Sequence, residues 1–307
     1  MDDWPQILLR FLHYAALLGL FGLTAFRLIG LRWLSSKDQY PWFGRALIGL
    51  AIVAPLVSAA LMLLSIAAMM GQPIWLTDWA TVELMVTSTS IGWAFAARMA
   101  LLLAALIALL LRHRSRFPLM IAAVCYSFAI ASLAWSGHAA ALEGGAGIFH
   151  RINDALHLLA AGLWLGAIGW FVHLTIRAHR YFDALQSQSL LNAMHRFAPL
   201  GIALVSVVSV TGLINAQMIF GLPNSGTVLM TGYGQLLAIK VALVALMLLC
   251  GGRNALIGRR RAAAHASLDA DPTTSLASLR ASLTIEITLA IVVIGLVAIV
   301  GMMSPMS

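Results

Sequence analysis

Polar residues in this chain fall in short clusters, separated by apolar runs of about 20 residues, the length that crosses a hydrocarbon core of about 30 Å. Eight such runs are read from the pattern: Ile7–Leu31, Ala46–Met70, Ser90–Leu111, Pro118–Trp135, Ile152–Ile176, Pro199–Phe220, Gln235–Leu256 and Leu283–Met303. No water is present in a bilayer core to bond peptide groups, so each run must satisfy its own backbone and is expected to be helical. The expected fold is all-α: a polytopic membrane protein with eight transmembrane helices, forming a single transmembrane domain over 1–307. Two connections are longer than a bundle requires. Residues 71–89 carry Trp75, Trp79 and Leu84 among polar neighbours, which suits a loop lying at the outer interface. Residues 259–280, with SLDADPTTS in their middle, read as a flexible cytoplasmic loop.

The charges alternate with the connections. Arg32, Lys37 and Arg45 follow the first run, Arg112, Arg114 and Arg116 the third, Arg177, Arg180 and Arg196 the fifth. Arg253, Arg259, Arg260, Arg261 and Arg280 follow the seventh, whereas the intervening connections are neutral or hold Asp78, Glu83 and Glu143. Basic loops stay cytoplasmic, so both termini are expected on the periplasmic side. The net charge of +8 is therefore an orientation signal and points to no nucleic acid. Charged residues make up 10% of the chain and hydrophobic ones 61%, with mean hydropathy +0.93. Soluble domains carry about a quarter charged residues, so the lipid bilayer is the main surrounding here. The start, MDDWPQILLRFLH, is acidic and lacks the basic end and cleavage site of a signal peptide, so the first span is expected to be retained. Cys125 and Cys250 lie inside apolar runs, too far apart for a CxxC site, and read as small hydrophobes.

Ionisable groups inside a membrane need a partner or a task. His150, Asp154 and His157 are spaced i, i+4, i+7 and share one helix face. His138 closes the fourth run at the same surface, and His13 lies about two turns inside the first. These residues are the candidate metal ligands. Methionines cluster in the same half: Met69, Met70, Met85, Met218, Met230, Met302, Met303 and Met306. Thioether with imidazole suits copper, the softer sulfur favouring Cu(I). Thr211, Asn215 and Met218 repeat the i, i+4, i+7 spacing, and Met218 joins the candidate ligands. Arg98 is expected to pair with an acid, Asp154 being the best placed; Lys240 can snorkel, and Glu286 is the lone acid of the inner half. Gly162 and Gly166 form a GxxxG pair that would admit a close helix neighbour.

Taken in order, SGHA (136–139), DALHLLAAGLWLG (154–166), HRFAPLG (195–201), TGLINA (211–216), YGQLLAIKVALV (233–244) and LRASLTIEITLAIVVIGLVAIVG (279–301) resemble the CopD/PcoD family of bacterial copper-resistance membrane proteins. The resemblance implies an eight-helix protein of the bacterial inner membrane that moves copper from periplasm to cytoplasm, working with a periplasmic copper-binding partner of the CopC type. It carries His13, His138 and His157, with Asp154 beside them, to the family's polar positions; His150 follows as an additional ligand. A transporter is the leading expectation, and no GxxxxGK[ST] motif suggests ATP hydrolysis. The alternatives are a membrane oxidoreductase, with His13 and His157 as axial ligands of haem b, and a docking surface for periplasmic copper proteins.

Overall fold

The computed structural model describes residues 3–31, 41–111, 116–137, 142–181, 184–264 and 272–304. Among them there are ten α-helices and no strand: α1 Trp4–Ile29, α2 Pro41–Met69, α3 Trp79–Ser88, α4 Ser90–Leu110, α5 Phe117–Ala131, α6 Gly144–Tyr181, α7 Ala184–Ile219, α8 Ser225–Val228, α9 Gly232–Ala264 and α10 Pro272–Val300. Eight of these are long and apolar enough to cross a membrane, the exceptions being α3 and α8. Their outward faces carry large exposed hydrophobics such as Leu56, Leu110, Leu213, Val241 and Leu249. A water-soluble surface of that kind would aggregate; in a bilayer it faces lipid. The chain is a multi-span membrane protein.

Several helices outrun the apolar pattern. Helix α6 starts at Gly144 rather than Ile152 and continues to Tyr181, and α7 starts at Ala184 rather than Pro199. The expected cytoplasmic loop at 259–280 is also largely helix in its described parts, because α9 runs to Ala264 and α10 begins at Pro272. Hydropathy stops at the lipid boundary, but helix-forming Ala, Leu, Gln, Met and Arg continue beyond it, and the backbone follows propensity.

Helices α1 and α6 pack together at the centre, with α2, α4 and α5 gathered on one side and α7, α9 and α10 on the other. One apolar cluster joins α1 to α2, α4 and α5 through Leu17, Leu20, Leu47, Leu102, Tyr126 and Ile130. A second joins α1, α6, α7 and α10 through Phe26, Trp170, Phe171, Met194 and Leu283. The close approach at the centre depends on glycine. A Cβ on Gly22 of α1 would lie 2.1 Å from the carbonyl oxygen of Gly162, and one on Gly166 would lie 2.1 Å from the Gly22 carbonyl. The GxxxG pair of α6 thus receives a third glycine from α1, and its role is packing. At one end of the bundle the Arg10 guanidinium lies against Gly301, so the first and last helices begin and finish at the same end.

Residues 71–89 form a short 3₁₀ turn, Ile74–Leu76, followed by α3, which packs on α4 and leaves Trp75, Trp79 and Leu84 exposed. Asp78 caps α3, accepting from the amides of Ala80 at 3.3 Å and Thr81 at 3.2 Å. Asp78→Ala should weaken this cap by about 1 kcal/mol. The expected signature is faster amide exchange confined to α3, with the long helices unchanged.

Candidate functional site

The polar residues of α6 and α7 meet near the end of the bundle that holds Arg10 and Gly301. Asn153, which is buried, donates through Nδ2 to the Thr211 carbonyl at 2.9 Å and to Asn215 Oδ1 at 2.7 Å. Asn215 in turn donates to Asp154 Oδ1 at 3.0 Å. His157 Nδ1 lies 2.9 Å from Thr211 Oγ1. The direction of that bond follows from the hydroxyl's single proton. Thr211 Oγ1 donates to the Val207 carbonyl one turn back, at 2.5 Å, so toward the imidazole it can only accept. The backbone of Val208 is also within hydrogen-bonding reach of the ring. Nδ1 therefore carries the proton of the neutral ring, and the lone pair is on Nε2. A fixed tautomer with one free nitrogen is how a ligating histidine is prepared. Lys240 of α9 is within electrostatic reach of both Asp154 and His157.

His13 belongs to a neighbouring polar group on the other side of α1. Its ring is buried, and Nε2 has no hydrogen-bond partner among the described residues. Arg98 of α4 and Arg10 are within electrostatic reach of the ring. Arg98 donates to the Ser132 hydroxyl at 2.8 Å and its carbonyl at 3.3 Å, a partner supplied by the turn after α5 where an acid was expected. Tyr14 bonds Arg10 and lies within electrostatic reach of Arg98 and Asp154, which joins the two polar groups.

The helix contact sets the relative depth of the histidines. His13 precedes Gly22 by nine residues, as His157 precedes Gly166, so both lie about 13 Å from the glycine contact, at one level. Nine residues are also about two and a half turns, which places each ring on the side of its helix away from that contact. His157 accordingly meets α7, and His13 sits among cations from α1 and α4. His150 is buried two turns above His157 on α6, and Met218 is half-buried one turn beyond Asn215. Met69 and Met230 are exposed. His138 and Met306 lie outside the described residues. Among the described residues, no three His, Cys, Asp or Glu side chains gather closely enough to hold one metal ion together. Asn153 was missed from sequence, although its i, i+4 relation to His157 signals a shared face; Arg10 and Tyr14 were hidden by the same pattern at the start of α1.

Comparison with known proteins decides the family. A relative described as "Copper resistance protein D" from Pseudomonas syringae pv. tomato is 34% identical over 310 residues, covering 99% of this chain and 98% of its own. The chain belongs to the copper resistance protein D family. The family description "Copper resistance protein D-like, N-terminal domain" matches residues 1–148, and "Copper resistance protein D" matches 191–300. "Inner membrane protein YebZ" of Escherichia coli (strain K12) is 30% identical over 85% of this chain and 87% of its own. "Copper transport protein CutJ" of Bacillus subtilis (strain 168) is 32% identical over 42% of this chain and 22% of its own. No solved structure matches.

His13 falls in the first family region; Thr211, Asn215, Met218, Lys240 and Glu286 fall in the second. The stretch holding His150, Asn153, Asp154 and His157 lies between the two, and the Pseudomonas relative's coverage of nearly the whole chain reaches across it. Two of these relatives, from Pseudomonas syringae pv. tomato and Bacillus subtilis, are named for copper.

Proposed function

We propose that this protein takes copper from the periplasm and passes it toward the cytoplasm, with His157 as a principal station in the membrane. The observation that carries the reading is the His157–Thr211 bond, which leaves Nε2 unprotonated inside the span region. Imidazole accepts copper in either oxidation state, and the half-buried thioether of Met218 adds a soft donor one turn past Asn215. Asp154 supplies negative charge beside a cationic cargo, held in place by Asn215. The Nε2 of His13, at the same depth and without a hydrogen-bond partner among the described residues, supports a second station. Transport favours sites that are separate and individually weak, since an ion caught in a complete cage would not leave. His150 and His138 are assigned to the mouth of the route, where a CopC-like periplasmic protein would deliver copper.

The basic connections support a periplasmic position for this end of the bundle, and the inner-membrane name of the Escherichia coli relative supports the same membrane for this chain. The experiment is copper bound per purified chain, measured for His13→Ala, His157→Ala and the double variant. Each single variant should bind less copper than the unmodified protein, and the double variant least. An unchanged ratio in the double variant would remove both residues from the route.

A further inference from the structure

A second polar group lies far from the histidines, between α9 and α10. Glu286 is 3% exposed and accepts a short hydrogen bond from Asn254 Nδ2, itself 4% exposed. Asn254 is fourteen residues beyond Lys240 on α9, about 21 Å along the helix. Above and below the pair are apolar clusters, one containing Phe171, Leu279 and Leu283, the other Met247, Ile287 and Ala290.

Two oxygens of this group have no partner among the described residues. Asn254 uses its amide N–H on Glu286, which leaves Oδ1 buried with no partner among the described residues. That oxygen belongs to the same planar amide, so it is held within a few bond lengths of the carboxylate. Ser282, one turn before Glu286 on the same face, is also buried, and its Oγ also has no partner among the described residues. Among the described residues, the charged groups on the surrounding helices, Arg280 of α10 included, are not electrostatic partners of Glu286. Arg253 of α9 donates to Ser278. Arg27 of α1 donates to the Leu31 carbonyl and covers the Trp170 ring. His173 of α6 meets Trp170 edge-on, and Arg196 of α7 is exposed.

A membrane carboxylate without a counter-charge is costly, and two orphaned oxygens beside it add to that cost. A bound metal cation meets all three oxygens together, whereas a proton on the carboxylate removes its charge and supplies one O–H donor. The donors are exclusively oxygen, which selects a hard ion over Cu(I), and one carboxylate balances one positive charge. We propose that Glu286, Asn254 and Ser282 form a site for a hard monovalent cation, separate from the copper route. The ion is either sodium or a proton held on the carboxylate. The inference stands on this geometry and does not depend on how copper is handled.

The full-length protein in lipid nanodiscs distinguishes the sources. Sodium occupancy appears as about one radioactive sodium bound per chain, abolished in Glu286→Gln and weakened several-fold in Ser282→Ala. Proton occupancy appears instead as a protonated-carboxyl infrared band, present at acidic pH and lost at alkaline pH. That band would be absent in Glu286→Gln and shifted in Ser282→Ala. Either pattern supports the site. It is overturned if neither signal is seen in the unmodified protein, or if the signals survive Glu286→Gln. Ser282→Ala keeps the Glu286–Asn254 bond, so it tests the site even where Glu286→Gln fails to fold; binding and band unchanged in that variant would also overturn it.

Discussion

Gly166→Leu should leave little folded protein. A Cβ at this position would meet the carbonyl carbon and oxygen of Gly22 at 2.1 Å, and both are backbone atoms that cannot rotate aside. Overpacking a core against side chains typically costs about 1–3 kcal/mol, because neighbours adjust by changing rotamer. Here relief requires α1 and α6 to move apart, and the apolar clusters on both sides of the bundle include residues of these two helices. The loss should exceed that range. Gly49 provides the control, since a Cβ there would meet nothing within 4 Å. Gly49→Ala should be neutral or gain up to about 1 kcal/mol from better helix propensity. Thermal unfolding of the purified variants in one lipid or detergent reads the difference. A Gly166→Leu protein that melts with the unmodified one would show that α1 and α6 do not meet at these glycines.

Thr211→Val should weaken copper binding on the order of ten- to a hundred-fold, the usual effect of removing the group that orients a ligating histidine. Valine keeps the shape of threonine and removes the oxygen that accepts from His157 Nδ1. The ring then loses the contact that fixes its orientation and places the proton on Nδ1. The number of copper ions per chain should not change, because no proposed ligand has been removed. Thr211→Ser restores the hydroxyl and should recover most of the affinity. Competition against a copper chelator measures both variants. Equal affinity in Thr211→Val would show that the His157–Thr211 bond does not prepare a ligand.

The two predictions draw on different levels of information. The GxxxG spacing of Gly162 and Gly166 is visible in sequence, but a spacing that common cannot say which helix it receives; the partner, Gly22, is known only from the packed α1–α6 pair. The stripe Thr211, Asn215 and Met218 is equally visible, whereas its match to Asn153, Asp154 and His157 required α7 to lie against α6. Arg98 illustrates the reverse. Depth alone favoured an acidic partner, and the turn after α5 supplied Ser132, because side-chain reach across a bundle depends on rotation about each helix axis as well as on height.

What the sequence determined by itself is the eight-span, all-α organisation, because a bilayer leaves an apolar segment no other way to bond its backbone. It also exposed the alternation of basic connections and the family resemblance that the relatives bear out. Tertiary structure alone decided which polar residues are neighbours: His157 turns to α7, His13 turns to Arg10 and Arg98, and Glu286 meets Asn254. Hydropathy reports how deep a residue lies. Which neighbour it faces is set by the angle at which each helix packs, and here that angle depends on three glycines that let α1 and α6 touch.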